Sequence, residues 1–304
     1  MAINEISYAS KWAGELDKMY VQKSATGFLA DNVLRAKFVG ARTVVIPDID
    51  FEGLVDYDRD GGFSGSSMSV SNETHQLKMD RARSISIDRE DLDETGIANL
   101  AGQVLGEFVR TKVVPETDAY VISELTKKAI ANSQTVEWSD ETPYKLFSDM
   151  VARVQDAAGY DEELVCFVDK TAYHALKNSD EFTRHIEVSD FKQGDINLKV
   201  KSVDGVSIIP VSSERMKSDY DFKNISDGAD ENNMTGGFKA AEGASDVHML
   251  ILPKKAASLV KKTEKLRVFS PEQNPEADAY KFDYRIYYDL LVKKSGIKGI
   301  WAAL

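Results

Sequence analysis

The acidic run Asp56-Tyr57-Asp58-Arg59-Asp60-Gly61 is the first stretch whose residue types and spacing could do chemistry. Alternating carboxylates ending on a glycine match the first six positions of a calcium loop. There, oxygens at positions 1, 3 and 5 ligate the ion and the glycine turns the chain. The twelfth position of such a loop is a bidentate glutamate, whereas here it is Ser67, and no helical pattern flanks the run. An acidic hairpin tip is the preferred reading. The neighbouring Gly61-Gly62-Phe63-Ser64-Gly65-Ser66 lacks the Gly-Lys-Ser/Thr ending of a phosphate loop and the second glycine of a nucleophile elbow. His75, His174, His185 and His248 show no metal-ligand spacing. The single cysteine, Cys166, lies in the apolar run Leu164-Val165-Cys166-Phe167-Val168, which suits a small core residue, and no base is identified beside it. Fifty Asp and Glu residues allow many carboxylate pairs, and their spacing selects none. No catalytic residue, cofactor-binding residue or metal ligand is therefore assigned. No cofactor is expected, and a structural role is favoured over an enzyme.

Composition narrows the classes further. The 304 residues carry a net charge of −12, without the clustered Lys and Arg through which proteins grip phosphate backbones. No apolar run approaches a membrane span of roughly 18 residues or more. The first twenty residues have no basic stretch followed by an apolar one, so a secretory signal is not expected.

The elements that must position these residues read as a mixed α+β chain. Residues 1–40 are weakly amphipathic and then loose, an arm that packs on something else. Ala41–Pro47 is a β-branched strand, followed by an Asp-, Gly- and Ser-rich excursion with a tip near Gly61–Gly65. Lys78–Asp88 is a long polar strand, and with the first strand it makes a two-stranded excursion. From Thr95 to Asn132 the residues Ile97, Leu100, Val104, Leu105 and Phe108 recur at helical spacing. Thr95 is the expected cap, and Pro115 predicts a kink or break. Thr142-Pro143 opens a second helix ended by Gly159. Leu164–Val168 is a buried strand, Asp169–Lys177 a short helix, and Asp204-Gly205 the turn of a hairpin. Lys217–Gly243 reads as a surface loop. Val247–Leu252 is a strand, Pro253–Lys261 a helix, Lys265–Phe269 a strand, Phe282–Lys293 a long strand, and Gly296–Leu304 a final apolar strand.

Four stretches in this order resemble the major capsid proteins of tailed bacteriophages, the Hong Kong 97-like coat fold. They are KMDRARSISIDREDLDETG (Lys78–Gly96), GEFVRTKVVPETDAYVISEL (Gly106–Leu125), the Asp204-Gly205 hairpin ending in SIIPV, and the run from His248 to Leu304. The resemblance implies a division into an N-terminal arm (1–40), an extended E-loop hairpin (41–94), a P-domain spine helix (95–140), an A-domain (141–246) and a return to the P-domain (247–304). It also implies assembly into hexamers and pentamers of an icosahedral shell around double-stranded DNA, inside a virion built in the host bacterial cytoplasm with a portal protein. The alternatives are an encapsulin-like shell around protein cargo and another phage structural protein, of tail or adaptor type. An extended loop lying across an adjacent subunit would account for a polar strand pair. On that reading Arg59, Arg81, Arg83, Asp88, Arg89, Glu90 and Asp91 are expected at contacts between subunits. Residues 38–77 contain no lysine, so lysine crosslinking through the E-loop is not expected. Residues 1–40 are too short for a built-in scaffold, so a separate scaffolding protein is expected.

Overall fold

The computed structural model describes residues 24–30, 37–39, 42–50, 54–57, 59, 69–90, 105–179, 186–193, 196–222 and 236–304. A long helix lies at the centre. Residues 105–108 are helical, Val109–Val113 make a π turn, and α1 runs Val114–Ala131. Pro115 accounts for the π turn. Proline has no N–H to donate, and its ring collides with the carbonyl four residues earlier, so a widened turn just before it absorbs the clash. The expected break is thus an insertion, and the helix continues. The Thr95 cap and residues to 104 lie outside the described residues.

Helix α1 is apolar on more than one side because it sits between two sheets. Tyr120, Val121, Ile122, Leu125 and Ala129 share one core with residues of both. The first sheet has the order β13 (Ala257–Phe269), β14 (Ala279–Val292), β4 (Met79–Asp88), all antiparallel. The second has seven strands: β5 (Thr135–Val136), β15 (Trp301–Ala303), β12 (Met249–Pro253), β6 (Leu164–Val168), β9 (Val206–Pro210), β8 (Ile196–Val203) and β7 (Ile186–Gln193). It is mixed, with β6/β9 and β5/β15 parallel. Period-two alternation divides its apolar strands between two cores. Val165, Phe167, Leu250 and Leu252 face α1, while Leu164, Cys166, Val168, Met249 and Ile251 face the other side. There α2 (Pro143–Ala158) and α3 (Lys170–Asn178) cover them with Phe147, Met150, Val154, Ala172 and Leu176. Both faces are buried, which is why these strands read as unbroken apolar runs. Strands β5, β12 and β15, outside residues 141–246, belong to the same sheet as β6–β9.

A smaller sheet joins β1 (Lys37–Val39), β2 (Thr43–Asp50) and β3 (Ser69–Gln76), with β2 and β3 forming an antiparallel hairpin. The hairpin tip at Gly61–Gly65 lies outside the described residues. A short ladder pairs β10 (Tyr220–Asp221) with β11 (Lys239–Ala240).

Four expectations are corrected. First, Lys78–Asp88 does not pair with the Ala41–Pro47 strand. All ten residues of β4 pair with β14 in the same chain, and Ser69–Gln76 is the hairpin partner. The mixed character of β4 is that of a sheet strand with one covered face: Ile85 and Ile87 pack on the core of Leu105, Val109 and Phe282, while Ala82, Ser84 and Ser86 are exposed. Second, Pro253–Lys261 is not a helix. Pro253–Ala256 is a turn closed by the Ala256 N–H on the Pro253 carbonyl at 2.9 Å, and the strand β13 begins at Ala257. Third, the N-terminal arm contributes to the core. Gly27–Ala30 is a 3-10 turn that buries Phe28 and Leu29, with Phe28 stacked on Phe167 at 6.1 Å. Fourth, the ends of the Lys217–Gly243 loop are ordered. Tyr220, Phe222 and Phe238 pack ring against ring, and Phe222 meets Tyr120 of α1. Residues 223–235 lie outside the described residues.

Candidate functional site

The surface with most to offer is the sheet β13-β14-β4, of which α1 and the helical residues before it cover one face. Residues opposed across the ladder share a face. Tyr284 and Phe282 thus point to the helix, whereas Asp80, Ala82 and Ser84 of β4, Asp283 and Arg285 of β14, and Lys265 and Arg267 of β13 point outward. A groove of about 350 Å³ crosses this outer face, lined by Ala82, Ser84, Lys265, Arg267, Asp283 and Arg285 among others. Arg83, Lys265, Arg267 and Arg285 line it against Asp283, with Asp80 beside it pairing Arg285, so the groove is basic in a chain whose net charge is −12. Arg285 is oriented by Asp80 through two hydrogen bonds, at 2.8 and 2.6 Å, and this guanidinium holds the Asp80 carboxyl below its ordinary range.

The candidate contact residues divide between the two ends of β4. Arg81 turns inward. Its guanidinium donates to both oxygens of Glu116 on α1, at 2.6 and 3.3 Å, to the Phe222 carbonyl at 2.5 Å and to the Gly237 carbonyl at 3.1 Å. Burial pushes the Glu116 carboxyl up despite the opposing pull of Arg81. Arg81 therefore has partners inside its own chain, and it fastens β4, α1 and both feet of residues 223–235 at one point. Arg83 is exposed on the same strand. At the far end, Asp88 accepts from the Glu90 N–H at 2.9 Å, and Arg89 lies 3.9 Å from both Glu272 and Asp278. Glu90 and Arg59 are exposed, and Asp91 lies outside the described residues. Sequence reasoning missed Lys265, Arg267 and Arg285. Lys265 and Arg267 alternate in β13 and Arg285 lies in β14, all within stretches that read as strands, but their meeting on one face depends on the β13–β14 register, which the sequence does not show.

A second surface is apolar. Leu54, Val55 and Tyr57, in the segment after β2, are 105%, 67% and 61% exposed. Exposure of adjacent large apolar side chains on a segment beyond the sheet is costly unless something covers them.

Nothing among the described residues makes a chemical centre. No group of His, Cys, Asp and Glu there is arranged to hold a metal. Cys166 is fully buried, and burial pushes its thiol up, away from a reactive thiolate. His248 sits 3.5 Å from Asp169, but Asp169 is engaged in capping α3 through the Ala172 N–H at 2.7 Å. No helix among the described residues is long and apolar enough to cross a membrane.

A central helix between a three-stranded sheet and a larger mixed sheet, with a hairpin leading into the edge strand β4, makes an α+β fold. Three solved structures share that fold. The Mycobacterium phage Che8 structure matches with a TM-score of 0.54 over 86% of this chain and 84% of its own, at 11% identity. The capsid structure of the cyanophage P-SCSP1u matches with 0.54 over 88% and 84%, at 13% identity. The virus-like particle from Pyrococcus furiosus matches with 0.51 over 98% and 99%, at 12% identity. At these identities the likeness is one of fold. No protein-family model matches the sequence, and no curated protein matches it.

Proposed function

We propose that the chain is a major capsid protein, the subunit of an icosahedral shell of hexamers and pentamers that encloses double-stranded phage DNA. The observation that carries this reading is the match over most of the chain to a cyanophage capsid structure and over nearly all of it to a virus-like particle. The domain division is the one given above: arm 1–40, hairpin 41–94, spine 95–140, A-domain 141–246 and return 247–304. The role is structural and not enzymatic, in a virion assembled in a bacterial cytoplasm with a scaffolding protein and a portal.

The contacts between copies follow from charge and exposure. Residues 48–60 carry Asp48, Asp50, Glu52, Asp56, Asp58 and Asp60 against the one cation Arg59. The basic groove around Lys265, Arg267 and Arg285 suits such a hairpin from a neighbouring copy, with Leu54, Val55 and Tyr57 covered by the same contact. Arg59, Arg83, Asp88, Arg89, Glu90 and Asp91 then lie at the seams, while Arg81 supports them from within. Exposed ion pairs contribute about 0–1 kcal/mol each, so register and orientation are their main service. A net negative chain suits a container that must not grip its own DNA.

Negative-stain electron microscopy of the chain expressed alone and with its scaffolding protein tests the reading. Closed shells or free capsomers are expected. Nuclease-protected DNA in native particles separates a phage capsid from a shell around protein cargo, and rings or tubes would point to a tail or adaptor protein. A chain that stays monomeric with scaffold present overturns the assembly reading.

A further inference from the structure

The outer face of the sheet β13-β14-β4 carries charges that its own chain leaves uncompensated. Lys265 and Arg285 stand directly opposite each other in the β13–β14 ladder, and both are exposed. Like charges in that position destabilise a strand pair. Arg267 lies two residues along β13 from Lys265 and so on the same face. Neither Lys265 nor Arg267 makes an ion pair among the described residues. Asp283, opposite Arg267, is the acid among the lining residues.

Asp80 is already occupied. It accepts from Nε and Nη2 of Arg285, at 2.8 and 2.6 Å, which holds that guanidinium in place and leaves its Nη1 amine for another acceptor. The fourth cation, Arg83, pairs with Tyr284 and belongs to the opposite face. Ala82 and Ser84 of β4, exposed beside Arg285 and Asp283, give the groove a floor of small side chains. Its volume of about 350 Å³ lies at the small end of the range for ligand sites. One carboxylate offers its oxygens in a single plane and cannot answer three cations at once. A tetrahedral oxyanion presents oxygens in several directions, and a short chain of such groups spreads its charges along the groove.

We propose that this groove binds a short chain of phosphate groups in the single subunit, held by Lys265, Arg267 and the Nη1 amine of Arg285. The ligand is a small flexible polyphosphate anion and not a nucleic acid. A long duplex meets the field of the whole chain, net −12, whereas a short anion sees the local cations within a screening length of about 10 Å. The same cations suit the acidic hairpin of a neighbouring copy, so anion and neighbour exclude each other. This second half of the inference rests on the shell reading. Assembly then requires the anion to leave, and its presence holds subunits apart.

Isothermal titration of the full chain with sodium tripolyphosphate, at a fixed ionic strength of about 0.1 M, tests the first half. Saturable binding with Kd below about 1 mM is expected, weakened at least about tenfold in the double variant Lys265→Gln/Arg267→Gln. Without anion the melting temperature of that variant is expected to hold or rise, because the facing like charges are relieved. No saturable binding, or binding that the double variant leaves unchanged, overturns the site. Duplex DNA that displaces tripolyphosphate at equal phosphate concentration overturns the assignment to a small anion. Light scattering of the chain assembling with its scaffolding protein tests the second half. The lag is expected to lengthen with tripolyphosphate and not with sodium chloride of equal ionic strength, and equal lags overturn the competition. A chain that binds tripolyphosphate yet assembles in neither salt sinks the shell reading and the competition with it, while the groove assignment stands.

Discussion

Asp118 shows how much one side chain can hold. It is fully buried on α1 and accepts from Ser24 Oγ at 2.7 Å, Thr26 Oγ1 at 2.7 Å, the Thr26 N–H at 3.1 Å and the Ala25 N–H at 3.1 Å, with Arg215 at 3.3 Å. The N-terminal turn is tied to the helix through this carboxylate. Asp118→Ala leaves four donors and a cation without their acceptor and is expected to cost about 3–5 kcal/mol in urea unfolding, with Asp118→Asn costing less. Arg81 supports a prediction in pH. Burial already raises the Glu116 carboxyl, and Arg81→Ala removes the charge that opposes that rise. A raised folded-state pKa contributes stability that is present below the unfolded value and lost as pH rises through the folded one. The deficit of Arg81→Ala is therefore expected to be smallest near about pH 4 and to grow by about 1–3 kcal/mol towards about pH 7. Denaturant midpoints that differ from wild type by the same amount at both values would refute this account. Neither site was legible in sequence. Asp118 is one acid among fifty, and its donors lie more than ninety residues away.

Elements were legible where local pattern and tertiary context agree. Asp204-Gly205 signalled a hairpin, and its residues have φ of 50° and 79°, the double left-handed turn that matches strand twist. Leu164–Val168 and Phe282–Lys293 were readable because β-branched and aromatic runs have one good use. Pro253–Lys261 was misread because Lys and Ala favour helix locally, whereas β14 offers a continuous partner and pairing along the strand outweighs propensity. Phe28 and Leu29 lie in a single short turn, with no period to detect. Two glycines separate local from tertiary requirements. Gly205 has open space around it, so Gly205→Ala is expected to cost about 1 kcal/mol from backbone strain alone. A Cβ on Gly296 would sit 2.8 Å from the Ala256 carbonyl oxygen, so Gly296→Ala must displace the Pro253–Ala256 turn. A cost of about 1–3 kcal/mol is expected, read from thermal melts alongside Gly205→Ala.

At the scale of the molecule, α1 and the seven-stranded sheet belong to one core, so the two sheets do not form independent bodies. The last strand makes this strict. β15 lies between β5 and β12, and Ile300, Ala302 and Ala303 are fully buried. Removing residues 300–304 detaches β5, opens an edge of β12 and empties part of both cores. The truncated chain is expected to be insoluble or without cooperative unfolding, as measured by soluble yield and circular dichroism, and a truncated chain that melts like the full one would contradict this. The position of β15 also sets a schedule for synthesis. At roughly 5–20 residues per second a ribosome needs about 15–60 s for a chain of this length, and for nearly all of that time the large sheet lacks its inner strand. The large sheet closes only after residues 301–303 have left the exit tunnel. A chain ended before β15 leaves β5 and β12 without the strand that joins them, so the order of strands makes closure of the large sheet wait for residues 301–303.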